Sequence, residues 1–312
     1  MGRSIELSVV VVVLEGGAGL ERCLRALHLQ AATSSIEVLV PWDTTRGAIP
    51  NLPGLEGTVR FQLVEGPCTY AELRAQGIRQ SSGEIVALTE DHCLPDADWC
   101  SRIISAHRSN HAAIGGAVQK EVPDTALNWS FYFADYVRYL DPREGPSDHL
   151  TDCNVTYKRG ALNAISTLWN DEFHENTIHA ALKVRNESLW LTPQIVVRQR
   201  RRFNLKTALW DRYAFGRLFG STRSMTANLR LRATLIAVAP ALPVLLVIRA
   251  ASHVLRTGRY KGEFLRALPS LTLLSLTWAW GEFVGYLTGR PETVLASKTA
   301  TNAVHSSHRP IF

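Results

Sequence analysis

An α/β fold, a mixed but mainly parallel sheet flanked by helices and followed by a hydrophobic helical hairpin, is what the sequence predicts, on three observations. Short apolar runs alternate with amphipathic stretches through the first half of the 312 residues. Val9 to Val13 form a run apolar on both faces, as a central parallel strand is. From Ala233 the alternation gives way to two long apolar stretches.

The elements follow in order. "LSVVVVVL" reads as the first strand, and "GLERCLRALHLQ" as a helix with Leu20, Leu24 and Leu27 on one face. "IEVLV" and "VRFQLV" give two more strands. A helix is predicted over about 69–80, then the strand "EIVALT" and a helix around Trp99 to Arg108. Beyond "AIGGAVQ" the pattern loosens into the aromatic stretch "WSFYFADYVRYL", the loop "DPREGPSDHLTD" and "CNVTYKRGAL".

A chain 46% hydrophobic buries a full core, which excludes a disordered protein. The predicted division is a catalytic-type domain over 1–224 and a basic, hydrophobic helical region over 225–312. Five cysteines without CxxC pairing suggest neither a disulfide framework nor a zinc ribbon, and fit a reducing compartment. The apolar stretch from Ile5 to Leu14 has only Arg3 before it and no small-residue cleavage pattern, so the amino terminus is expected to stay cytosolic.

The net charge of +6 hides a split. Residues 198–312 carry 18 Lys or Arg against four Asp or Glu, which leaves 16 against 24 in residues 1–197. Basic residues here flank apolar segments instead of interleaving with exposed aromatics, so an anionic membrane surface is the expected partner and nucleic acid is not. "ATLIAVAPALPVLLVI" would reach about 24 Å as a helix at ~1.5 Å per residue, short of the ~30 Å hydrocarbon core. Pro240 and Pro243 would kink it, and Trp278, Trp280 and Tyr286 sit late in the second stretch, 267–287, as interfacial anchors do. Spanning helices, re-entrant helices and core helices of a second soluble domain all remain open.

"ALTEDHCLP", 87–95, places Glu90, Asp91 and His92 at the end of a buried strand. Polar residues there can cap a strand turning to solvent, or supply ligands to a divalent cation. The larger stretch "YAELRAQGIRQSSGEIVALTEDHCLPDADW" resembles the family-2 glycosyltransferases of the GT-A, Rossmann-like fold, in particular bacterial membrane-associated ones, with a likeness covering roughly Ser4 to Arg223. The resemblance places Glu90, Asp91 and His92 on the family's Asp-x-Asp motif, with Asp91 and His92 as ligands of manganese or magnesium. It implies donor contacts from Asp43, Arg74, Glu90 and Asp91, and it sets Glu175, in "WNDEFHENTIHAAL", as the catalytic base. Asp152 and Asn154 in "DCNVTYKRGAL" are implied acceptor contacts.

The family's first loop is replaced by Leu14-Glu15-Gly16-Gly17, leaving Glu15 only a candidate, and "QRRRF" resembles the Gln-x-x-Arg-Trp motif with Phe203 for Trp. His174 and His179 lie five apart, about 140° around a helix of ~3.6 residues per turn, which excludes a zinc-protease pair.

The implied activity is inverting, metal-dependent transfer of a sugar from a nucleotide-diphosphate donor, a UDP-sugar by expectation. The acceptor would be lipid-linked or a membrane-proximal glycan in envelope or exopolysaccharide synthesis, with the catalytic domain on the cytoplasmic face of the inner membrane. A catalytically inactive GT-A domain acting as a membrane-bound scaffold is the alternative.

Overall fold

The computed structural model describes residues 4–202 and 204–290, which fold as two units. The first comprises 4–120 and 141–200, and the second 121–140 and 201–290. The division expected at 224 thus falls in the last turn of a long helix, Leu205–Thr226, that belongs wholly to the second unit together with the aromatic stretch near 130.

The first unit opens with β1 (Leu7–Val12), α1 (Gly17–Gln30), β2 (Ile36–Asp43) and β3 (Val59–Val64). Next come α2 (Tyr70–Arg79), β4 (Ile85–Glu90), β5 (Cys93–Pro95), α3 (Trp99–Ala106) and β6 (Ala113–Lys120). The second unit supplies α4 (Ala126–Asp135). Thereafter the first unit adds β7 (Gly145–Pro146), β8 (Asn154–Lys158), α5 (Arg159–Asn163), α6 (Glu175–Val184) and β9 (Leu189–Gln199). Each strand read from the apolar alternation is present. The helix expected over 69–80 starts where Thr69 and Glu72 exchange the reciprocal bonds of a capping box.

The nine strands form one sheet in the order β3-β2-β1-β4-β8-β6-β9-β5, with β7 on β9. Pairings β3-β2, β2-β1, β1-β4 and β6-β9 are parallel, while β8 runs antiparallel between β4 and β6. The carboxyl ends of β1, β2, β4, β6 and β9 therefore share one edge with the amino ends of β8 and β5. Ligands of open α/β sheets bind at such an edge.

The second unit is helical: α4, α7 (Leu205–Thr226), α8 (Leu229–Val238), α9 (Leu242–Thr257) and α10 (Lys261–Thr288). Helices α7 and α10 are each other's main partner. Gly216 and Gly220 of α7 lie against the carbonyls of Trp278 and Glu282, and Gly281 and Gly285 of α10 against those of Tyr213 and Arg217. A Cβ at any of the four would collide with backbone of the other helix, so the spacing of four residues on both sides lets the two backbones touch.

The two apolar stretches expected to form a hydrophobic hairpin are both helical. Among the described residues one helical run, Leu229–Thr257, is long and apolar enough to cross a membrane, and most of it is exposed. Pro240 and Pro243 fall in its one-turn 3-10 segment, Ala239–Ala241, and in the first turn of α9. The second stretch lies within α10, much of whose surface is buried. Its anchors differ from expectation too: Trp278 and Tyr286 are buried and donate to Glu282 at 2.9 and 2.5 Å, while Trp280 alone of the three is exposed. The Glu282 carboxylate is thus bonded within the protein, so a charge that breaks the apolar run in the sequence is an internal packing group in the fold.

Candidate functional site

β4 carries the "TEDH" stretch to the shared edge, and its Glu90, Asp91 and His92 side chains do not all face the same way. Asp91 accepts backbone N–H bonds from Leu14 at 3.0 Å, Glu15 at 2.9 Å and Gly16 at 2.5 Å. Its carboxylate is the cap of the loop after β1, where Gly16 and Gly17 adopt positive φ of 76° and 56°. Burial is the strongest influence on Asp91 and raises its pKa despite the three amides. Both oxygens accept from this loop, and Oδ1 also lies 4.0 Å from His92 Nδ1, so Asp91 is engaged as a loop cap at the place where the sequence suggests a cation ligand. Glu15 enters the site through its backbone N–H to Asp91.

Glu90 and His92 face elsewhere. Glu90 Oε1 accepts from Arg74 Nη2 at 3.0 Å, and Glu90 Oε2 lies 3.6 Å from His92 Nε2. Arg74, delivered by α2, also reaches Asp152 Oδ2 at 2.5 Å and, through Nη1, Glu175 Oε2 at 3.9 Å. One guanidinium therefore gathers three carboxylates from β4, the turn before β8 and the start of α6. Their side-chain exposures differ in a way that matters: 1% for Glu90, 0% for Asp152 and 11% for Glu175. Asp152, the expected acceptor contact, is enclosed and holds Arg74. Glu175, also buried, is the least enclosed of the three.

Asp43 ends β2. Its Oδ1 accepts from the Thr45 N–H and hydroxyl at 2.8 and 2.6 Å, and its Oδ2 from the Cys68 N–H at 3.0 Å. Burial opposes ionisation, but these bonds outweigh it and hold Asp43 below the ordinary carboxylate range. The chain passes so close at Gly66 that a Cβ there would overlap the Asp43 carboxylate.

Asn154, the other expected acceptor contact, is bonded within the protein. Its amide donates to the carbonyls of Ala117 at 2.8 Å and Ile195 at 2.9 Å, and its carbonyl accepts from the Trp99 indole at 2.9 Å. All three bonds are internal, and Asn154 is fully buried. It ties β8 to β6, to β9 and to α3.

The architecture is one already known from a sugar transferase. The chain is similar to the mannosyltransferase PcManGT from Pyrobaculum calidifontis, solved in complex with GDP-Man and Mn2+, with a TM-score of 0.54 and 16% identity. The match covers 89% of this chain and 86% of that one. At this identity it shows a shared fold. No family model and no curated protein sequence matches the chain.

A residue that sequence reasoning passed over stands at the same edge. Lys120, the last residue of β6, is buried and donates to Gln199 Oε1 at 3.0 Å, and Gln199 pairs in register with Cys93, next to His92. The Arg200 N–H donates to the His92 carbonyl at 2.9 Å. Gln199 is the first residue of the "QRRRF" string, so that string begins in a strand beside the acidic motif, whereas Phe203 lies outside the described residues. A single lysine closing an apolar strand reads in sequence as a solvated strand end, and only the ladder reveals its neighbour.

Could a divalent cation sit here? Among the described residues no three His, Cys, Asp or Glu side chains are grouped as a ligand set. Glu90 Oε2 and His92 Nε2, 3.6 Å apart, suit two ligands of one cation. Two protein donors suffice for magnesium-type ions, which fill their remaining positions with water and substrate phosphate. The charge around them agrees, since the Arg74 guanidinium and the His92 imidazole lie among the carboxylates of Glu90, Asp152 and Glu175.

Proposed function

We propose that the chain is an inverting glycosyltransferase that uses a divalent cation and moves a sugar from a nucleoside diphosphate to a lipid-linked or membrane-proximal acceptor. The observation that carries this reading is the cluster of Glu90, Asp152 and Glu175 around Arg74, at the ligand-binding edge of a sheet whose fold is shared with a GDP-mannose-dependent transferase. Glu90 and His92 would hold the cation, which supplies positive charge to the diphosphate as it leaves.

The chain's own residues divide the remaining work. Asp43, fixed by Thr45 and Cys68, would accept from the nucleoside. Asp91 keeps the first loop closed beside it. Glu175, the most exposed of the three carboxylates, takes the proton of the acceptor hydroxyl. That oxygen bonds to the anomeric carbon as the bond to the diphosphate oxygen breaks, its electron pair leaving with the nucleotide. Attack opposite the leaving group inverts the anomeric configuration.

The membrane side of the reading rests on the second unit. Leu229, Val244, Ile248, Leu255 and Trp280 are exposed on helices that also carry Arg230, Arg249 and Arg256. Buried methylenes contribute ~0.8 kcal/mol each and basic residues near anionic headgroups ~1 kcal/mol each, which together hold a protein at a membrane surface. In this reading the site would face the cytoplasm at the inner membrane.

The test is a calorimetric screen of UDP- and GDP-sugars with manganese, followed by release of nucleoside diphosphate. Manganese-dependent binding of one donor and its turnover are expected. Donor binding without any turnover would favour the inactive scaffold, and no binding of any nucleotide sugar would remove the transferase reading.

A further inference from the structure

Within the second unit, α4, α7, α9, α10 and the turn 137–139 enclose a cavity of about 460 Å³, in the range of small-molecule sites. Its walls are mainly apolar, from side chains such as Phe133, Leu246, Leu271 and Trp278. Four arginines and a histidine also line it: Arg138, Arg212, Arg223, Arg249 and His253.

Two carboxylates face the same space, and both are engaged within the protein. Asp135 pairs with Arg212 at 2.6 Å, and Glu282 accepts from Trp278 and Tyr286. Arg249 is different. It sits in the membrane-length run Leu229–Thr257, is half-buried, and has no carboxylate partner among the described residues. Its helix packs on the turn that carries Arg138 and Tyr139, so a charge of its own sign lies beside it together with one phenol. A cation inside an apolar helix is costly unless something negative faces it, and such residues mark ligand paths.

We propose that this cavity binds a lipid with a phosphate head, the phosphate lying between Arg138 and Arg249 and the hydrocarbon chain against the apolar wall. Two guanidiniums match a phosphate through paired N–H donors. The lining and the neighbouring membrane-length run select a lipid-borne phosphate over a soluble one. The inference uses the second unit alone and does not depend on sugar transfer.

The test uses the full chain in a non-ionic detergent, without sugar nucleotide, and three probes: farnesyl phosphate, farnesol and inorganic phosphate. Native mass spectrometry counts bound probe over a titration. One farnesyl phosphate per chain is expected, at least ~10-fold tighter than farnesol, with no competition from equimolar inorganic phosphate. Arg249→Gln and Arg138→Gln should bring farnesyl phosphate down to the farnesol level, Arg249→Lys should retain part of the difference, and Arg266→Gln on the exposed face of α10 should change nothing. Equal binding of farnesyl phosphate and farnesol by the unaltered chain would overturn the proposal without recourse to any variant. Unchanged affinity in a folded Arg249→Gln protein, or full displacement by inorganic phosphate, would overturn it as well.

Discussion

Gly66 runs against the Asp43 carboxylate with no room for a side chain, so the loop after β3 and the end of β2 are fitted to each other at the atom that would read the nucleoside. Gly66→Ala must push the Asp43 carboxylate off its bonds from Thr45 and from the Cys68 N–H. Affinity for the donor nucleotide should fall at least ~10-fold, about the worth of one charge-assisted hydrogen bond, with little change in the far-ultraviolet circular dichroism spectrum. Calorimetry with the free nucleoside diphosphate reads this directly, and unchanged affinity would remove Asp43 from the site.

Arg74 binds carboxylates from three elements, and its removal leaves them facing one another in a buried space. Arg74→Met should destabilise the first unit by ~3–5 kcal/mol, the usual cost of breaking a buried ion pair on one side. Thermal melting of the two proteins compares them. Arg74→Lys should recover only part of the loss, because an ammonium cannot span the three partners as a planar guanidinium does.

Glu175→Gln keeps the shape of the side chain and removes its ability to take a proton. Turnover should drop ~10²–10⁴-fold while donor affinity changes less than twofold. A variant with unaltered turnover would pass the role of base to another group.

Asp91 and His92 are neighbours in sequence with separable roles. His92→Ala should weaken manganese binding in the presence of nucleotide at least ~10-fold, the usual minimum effect of losing a ligand or its orienting partner. Asp91→Asn should instead lower the melting temperature, through the loop 14–16, and leave more of the manganese affinity. Electron paramagnetic resonance of bound manganese distinguishes the two, and the reverse ranking would restore Asp91 as the ligand.

Acid should weaken the fold through two buried histidines. His107 is 2.7 Å from the Thr156 hydroxyl and His179 is 2.9 Å from the Tyr157 hydroxyl. Burial, reinforced by nearby positive groups, draws His107 down to about 4 and His179 to about 3. The unfolded chain takes up both protons near 6.5 and so binds more of them below that pH. Stability is complete above pH 6.5 and is lost as the pH falls from 6.5 towards 4, by at most ~1.4 kcal/mol per unit for each histidine. Melting temperatures over this interval should show the slope, and His179→Gln should flatten it.

The sheet was legible because parallel strands buried on both faces leave continuous apolar runs, as Val9 to Val13 do, and because Thr69 and Glu72 announce a helix start. Arg74, Glu90 and Glu175 were reached through a family resemblance, and the structure gathers them. Asn154 and Asp91 mark where such reasoning ends. An amide or carboxylate that faces a substrate and one that staples backbone are the same letter, and only the partners separate them. Lys120 was missed for the converse reason, since its partner Gln199 is 79 positions away. The division of the chain was obscured because α4 joins the helical unit from between strands of the sheet.

The four glycines that join α7 and α10 have a consequence for where this helix pair can exist. Most helix pairs in water are held by the expulsion of solvent from apolar side chains, a force that vanishes once the surroundings are themselves oily. Here the two backbones meet directly, and the attraction is close-range dispersion between matched surfaces. Such a joint depends less on its medium than one held by solvent expulsion alone, so the pairing of α7 and α10 should persist in detergent as it does in water.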